Sequence, residues 1–95
     1  MNKYELLFIL KTDAQEERRA QILERLTGII EGDGGQVENV DEWGNRKLAY
    51  EINKTAEGYY TLVNFDTPVD TPKELSRVLR ITDDVMRHMI VRLEA

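Results

Sequence analysis

The segment Asn2–Leu10, with the sequence NKYELLFIL, alternates in the way that is typical of a β-strand. Successive side chains of an extended chain point to opposite sides, so the segment has one apolar or aromatic face and one mixed face. The first face carries Tyr4, Leu6, Phe8 and Leu10, and the second carries Lys3, Glu5, Leu7 and Ile9. This pattern predicts a first strand that packs its apolar face against a core and leaves its charged face more exposed to solvent.

The segment that follows predicts a helix and then a long strand. Asp13 and Glu16 have the spacing of a capping box, and a glycine-rich stretch at 32–35 provides a stop signal. Between them, apolar residues recur at helical spacing, namely Ile22, Leu23, Leu26, Ile29 and Ile30. Residues 36–52 then alternate as a second strand, and Gly44 marks a place where a bulge or bend is expected.

The remainder of the chain predicts two further strands separated by a second helix. Residues 53–58 form a polar turn, and the strand-forming run 59–65 pairs with the preceding strand as a hairpin. Thr71, followed by a proline, predicts the N-cap of a helix that ends near Arg80. Residues 85–93 predict a fourth strand after an aspartate turn.

The order βαββαβ predicts the α+β, ferredoxin-like split βαβ fold, built as one domain over residues 1–95. This fold is a four-stranded antiparallel sheet with two helices on one face and with strands one and three at its centre. The other face would then be open and would expose apolar side chains at Leu7, Ile9, Met89 and Val91. An open apolar face bordered by charge predicts a partner-binding surface.

Composition limits the possible functions. The 95 residues include no cysteine, which excludes disulfides, thiolate nucleophiles and cysteine-ligated metal sites. The apolar run near the N-terminus is too short for a signal peptide or a membrane span, so we expect a cytoplasmic protein with no membrane partner. A net charge of -5 argues against a basic surface over the whole molecule, although basic residues concentrated on one side could still attract phosphate.

No constellation of residues predicts catalysis, a metal site or a cofactor. His88, the single histidine, alternates with apolar residues of the last strand and is predicted to point toward the helices as a neutral ring. No phosphate-binding glycine loop is present, because the glycines at 32–35 precede a strand. Residues 11–14 lack the arginine-bearing phosphate cradle of acylphosphatases, so we expect no enzyme activity and no small-molecule substrate.

RNA-recognition domains share this fold, and residues 58–63 slightly resemble their third-strand signature. Thr61 stands where the second stacking aromatic would be, which argues against the usual base-stacking mode. Tyr59 and Tyr60 are therefore interpreted first as packing residues. The basic residues that remain lie on the hairpin and at strand ends and edges, and they are Lys3, Arg46, Lys47, Lys54, Arg80, Arg87 and Arg92.

Four separated blocks, in order and over nearly the full length, resemble a known family, the sixth protein of the bacterial small ribosomal subunit. These blocks are Tyr4-Glu5, residues 43–52 (WGNRKLAYEI), Lys54 with Gly58-Tyr59, and residues 79–87 (LRITDDVMR). The resemblance implies a structural role in the 30S subunit. It also implies binding to the central domain of 16S rRNA together with the eighteenth small-subunit protein, a basic partner that would compensate for the acidic charge.

On this resemblance, the seven basic residues and Tyr59 are assigned to RNA, and the four apolar residues of the open face to the protein partner. The free chain is expected to be a monomer. The leading alternative that the residues leave open is a homo-oligomeric ferredoxin-like regulatory module that binds a small ligand between subunits. A second alternative is an acylphosphatase-like hydrolase.

Overall fold

The computed structural model describes residues 1–52 and 55–93, with side chains except at positions 48–52, 55 and 56. Strands and helices alternate in the order predicted from the sequence. They are β1 (Asn2–Leu10), α1 (Glu16–Gly32), β2 (Gln36–Ile52), β3 (Thr55–Thr67), α2 (Thr71–Arg80) and β4 (Val85–Arg92). The ferredoxin-like prediction is confirmed.

The four strands form one antiparallel sheet in the order β2-β3-β1-β4. The prediction that the first and third strands are central is thus confirmed. The pairing of β1 with β3 ends at Leu10 opposite Tyr59, whereas β2 and β3 stay paired as far as Ile52 opposite Thr55. The β2–β3 hairpin therefore extends beyond the end of β1.

The core lies between the sheet and the two helices. The four residues on the apolar face of β1 are all at most 5% exposed and pack against Leu26, Leu75 and other apolar residues of the helices. Burial of one such side chain stabilises the fold by about 1.5 to 3 kcal/mol. The alternation of β1 therefore fixes which face of the sheet the helices cover.

Strand β2 contains the irregularity expected at Gly44. The register shifts between Glu42 and Gly44, and Gly44 has a φ of +81°, a conformation that residues with a Cβ rarely adopt. The shift places Trp43 as an extra residue of the strand. The predicted bulge is confirmed.

The predicted helix caps are wrong at both helices. Helix α1 has Gln15 as its N-cap and helix α2 has Asp70, and neither side chain forms a capping hydrogen bond. The hydroxyl of Thr71 instead donates to Asp33 Oδ2 at 2.8 Å, which ties the start of α2 to the end of α1. A tertiary hydrogen bond thus replaces the local one that the sequence pattern suggested.

Strand bounds also differ from those predicted. Strand β3 begins at Thr55 and ends at Thr67, so part of the predicted turn 53–58 belongs to the strand, while positions 53 and 54 lie outside the described residues. Strand β4 ends at Arg92.

Neither helix is long and apolar enough to cross a bilayer within the described ranges.

Candidate nucleic-acid interface

The extended hairpin carries two of the predicted RNA-binding residues, Arg46 and Lys47. Arg46 lies opposite Gly58 and Lys47 lies opposite Glu57, and both side chains are exposed. They are neighbours on one strand and therefore point to opposite faces of the hairpin. Lys54, the third predicted residue of this group, lies outside the described residues.

Next to these cations, Trp43 and Tyr60 form an aromatic pair that the sequence did not predict. Their ring centroids are 6.0 Å apart with an angle of 9° between the planes. The indole Nε1 donates to Asp41 Oδ2 at 3.0 Å, and Arg46 Nε donates to the backbone oxygen of Trp43 at 3.4 Å. The bulge brings the two rings together. The register between β2 and β3 at this bulge could not be deduced from the sequence.

Tyr59, the other tyrosine of this segment, belongs to the opposite face of the sheet. Its register partner is Leu10, and the guanidinium of Arg19 lies 4.1 Å from the centroid of its ring. The ring is half-buried and packs against the core. The interpretation of Tyr59 as a packing residue is confirmed, and its assignment to RNA stays a prediction.

Lys3 lies at the other end of the sheet and is held by two carboxylates. Its Nζ is 2.6 Å from Glu38 Oε1 and 3.5 Å from Asp66 Oδ2. The hydrogen bond to Glu38 raises the pKa of Lys3 above its usual value. A phosphate approaching Lys3 would have to compete with both carboxylates.

The remaining three predicted arginines lie around α2 and β4. Arg87 is opposite Ile9 on the open face, and Arg80 is exposed at the end of α2. Arg92 donates from Nη2 to Asn2 Oδ1 at 2.8 Å. Arg80 and Arg87 are at the end of the sheet from which the hairpin extends, whereas Arg92 is at the end that carries Lys3.

His88 points toward the helices, as predicted. It lies opposite Phe8 of the core face, and its Nε2 is 2.8 Å from the hydroxyl oxygen of Ser76 on α2. Burial, together with the nearby charge of Arg80, lowers the pKa of His88 below its usual value. The ring is therefore neutral at physiological pH.

Three of the four apolar residues predicted for the open face are at least partly exposed, whereas the predicted exposure of Ile9 is wrong. Leu7 lies opposite Met89, and these residues with Ile9 and Tyr60 line a groove of 220 Å³. Met89 is 52% exposed, whereas Ile9 is only 6% exposed and is covered by its neighbours. Val91 is also exposed on this face. The described side chains include no cluster of metal-ligating residues.

Known proteins resemble this chain over nearly its full length. Two curated relatives are named small ribosomal subunit protein bS6, one from Alkaliphilus oremlandii (66% identical) and one from Alkaliphilus metalliredigens (63% identical). Each alignment covers 99% of this chain and 99% of the relative.

Solved structures agree with these relatives. The crystal structure of 30S ribosomal protein S6 from Thermotoga maritima superposes with a TM-score of 0.89 at 35% identity, covering 97% of this chain and 87% of that one. The P2 domain of the chemotaxis kinase CheA from Thermotoga maritima is 18% identical with a TM-score of 0.62, and this likeness shows the fold alone. The family model of Ribosomal protein S6 matches residues 3–92, and the chain belongs to this family.

Proposed function

We propose that the chain is a structural constituent of the small ribosomal subunit, which would place it on the ribosome in the cytoplasm. We propose further that it binds the central domain of 16S rRNA together with the eighteenth small-subunit protein. Membership of the Ribosomal protein S6 family is the observation that carries this proposal. It also favours the ribosomal role over a ligand-binding regulatory module.

The hairpin is the first candidate for the RNA surface. Arg46 and Lys47 extend beyond the end of β1, and neither forms an ion pair with a carboxylate in the part of the chain that the structure describes. Cations that contact phosphate supply most of the sequence-independent affinity for RNA. Lys3 and Tyr59 contribute less to RNA binding in this proposal. Carboxylates already pair with Lys3, and the guanidinium of Arg19 covers the ring of Tyr59.

The open face is the candidate surface for the protein partner. Met89 and Val91 on β4 are exposed apolar residues, with Leu7 half-buried beside them. Glu5 and Asp41 lie on the same face, opposite Val91 and Leu62 respectively. Arg87 also lies on this face, so acidic groups border only part of the apolar surface. That part suits a basic partner, since complementary charge speeds association.

The proposed role needs no catalytic group, cofactor or small-molecule substrate, and the free chain is expected to be a monomer. Sedimentation of the purified chain would test the last point, since the regulatory alternative requires a dimer or a larger oligomer.

Binding to a central-domain fragment of 16S rRNA tests the main proposal. The chain alone should bind weakly, and the eighteenth small-subunit protein should raise its affinity at least about tenfold, which corresponds to about 1.4 kcal/mol of coupling. A serum albumin control would replace the partner at equal concentration. Equal affinity with and without the partner would show that the two proteins do not bind as a pair.

A further inference from the structure

A groove between α2 and the edge strand β4 has features of a ligand site. It is separate from the hairpin, and it borders the open-face groove at His88 and Met89. Its volume is 400 Å³, within the range of pockets that hold small ligands. Its lining includes Pro72, Lys73 and Ser76 from the helix and His88, Met89 and Arg92 from the strand.

The charged groups in this groove are cations. Lys73 and Arg92 are both exposed, and no carboxylate is among the described residues that line the groove. Arg92 donates a hydrogen bond to the neutral side chain of Asn2, so its charge is not compensated there. By contrast, Arg18 and Arg77 are each ion-paired with a carboxylate.

The interior of the groove offers both polar and apolar contacts. The hydrogen bond between Ser76 and His88 holds the imidazole in place against α2. Pro72 and Ile90 provide apolar surface beside these polar groups.

A phosphate ester attached to a flat or ring-shaped apolar group fits this combination. Lysine and arginine bind phosphate oxygens through charge-assisted hydrogen bonds, and apolar side chains pack against sugars and bases. We propose that the groove between α2 and β4 holds one nucleotide of single-stranded RNA, with its phosphate contacting Lys73 and Arg92 and its sugar or base against Pro72. This inference rests on the proposed function, since it assigns a second contact with the RNA.

The histidine signals in the NMR spectrum of the full chain test the groove directly, because the sequence has a single histidine. The probe is a short oligouridylate, compared with inorganic phosphate at the same phosphate concentration. The oligouridylate should shift the ring resonances of His88 and raise the pH midpoint of its titration, because a nearby phosphate favours the charged imidazole.

Two variants make the measurement specific. The groove variant, Lys73→Ala with Arg92→Ala, should abolish the shift of the His88 resonances. The control variant, Lys11→Ala with Arg25→Ala, removes the same amount of charge at exposed positions that do not line the groove. It should show the same shift as the parent. Circular dichroism melting would verify that both variants remain folded. With the 16S rRNA fragment and the partner protein, the groove variant should bind about tenfold more weakly and show a shallower salt dependence.

Several results would overturn the inference. If inorganic phosphate acts as strongly as the oligouridylate, the groove takes a free anion. If the His88 signals respond only to the partner protein, the groove is a protein contact. If the groove variant binds the rRNA fragment like the parent while the hairpin variant binds weakly, the groove assignment fails and the proposed function stands. If the parent fails to bind the rRNA fragment, the proposed function fails, and the oligouridylate titration still decides the groove.

Discussion

The indole of Trp43 and the ring of Tyr60 stack across the β2–β3 pair at the bulge. Such aromatic pairs contribute about 0.5 to 1.5 kcal/mol beyond the area that they bury. We expect this coupling in a double-mutant cycle of Trp43→Ala and Tyr60→Ala, measured by urea unfolding. The matched control pairs Trp43→Ala with Tyr59→Ala, since Tyr59 lies on the other face. Equal coupling in both cycles would mean that the stack adds no specific stability.

Substitution of two glycines by alanine should change stability in opposite directions. At Gly35 an added Cβ would overlap the backbone oxygen of Asp66, and at Gly28 it would meet nothing within 4 Å. Gly35→Ala should therefore lower the free energy of unfolding by about 2 kcal/mol or more, through overpacking. Gly28→Ala should raise it by about 0.5 to 1 kcal/mol, because alanine favours the helix. The two urea midpoints measure both effects, and a Gly35→Ala protein as stable as the parent would contradict the close approach.

Stability should depend on pH through His88. Its pKa is lowered in the folded chain by burial and by Arg80, so the unfolded chain takes up the proton first as the pH falls below about 6.5. The free energy of unfolding should then decrease as the pH falls from that value through the lowered pKa of the folded state. His88→Gln should lose this dependence in thermal melts.

The carboxylates titrate in a more acidic window. The hydrogen bond from Arg77 lowers the pKa of Glu74 below its usual 4.5, so the stability linked to this pair is lost only as the pH falls below that value. Arg77→Gln is therefore the control for the His88 measurement and should leave the decrease that begins near pH 6.5 unchanged. If His88→Gln kept the parent's profile between about pH 6.5 and 4.5, other groups would cause the dependence.

The cations of the hairpin should determine much of the salt dependence of RNA binding. Replacing Arg46, Lys47 and Lys54 with alanine should weaken binding of the two-protein complex to the rRNA fragment. The slope of log affinity against log salt should become shallower by about 0.7 to 0.9 for each phosphate that the variant no longer neutralises. Stability should change by no more than about 0.5 kcal/mol if these side chains are exposed, as Arg46 and Lys47 are. A folded triple variant with the parent's affinity and slope would mean that the RNA surface lies away from the hairpin, at the end of the sheet that carries Lys3 and Arg92.

Features that depend on local pattern could be predicted from the sequence. The alternation of β1 placed Tyr4 and Leu7 on the correct faces, and the glycine at position 44 marked the bulge. The alternation of side chains in β4 likewise predicted that His88 points toward the helices. In each case the two-residue alternation of side chains along a strand is sufficient to predict which face of the sheet a residue occupies.

Features that depend on contacts between distant residues could not be predicted. The cap assigned to Thr71 failed because its hydroxyl is used by Asp33, which is 38 positions away in the sequence. The neutralisation of Lys3 by Glu38 and the stack of Trp43 on Tyr60 depend on the register between strands. A single sequence does not fix that register when the hairpin turn lacks a sharp signal.

The central position of β1 also affects how the chain folds while it is being synthesised. One edge of β1 pairs with β4, and the side chains of Asn2 and Arg92 meet although they are 90 positions apart. Contacts at such separation carry a large loop-closure entropy and slow folding. Because β1 is synthesised before β4, one edge of β1 therefore stays open to water, or to another nascent chain, until residue 92 has left the exit tunnel. We expect the sheet to close only at that stage, when β4 can pair with the free edge of β1.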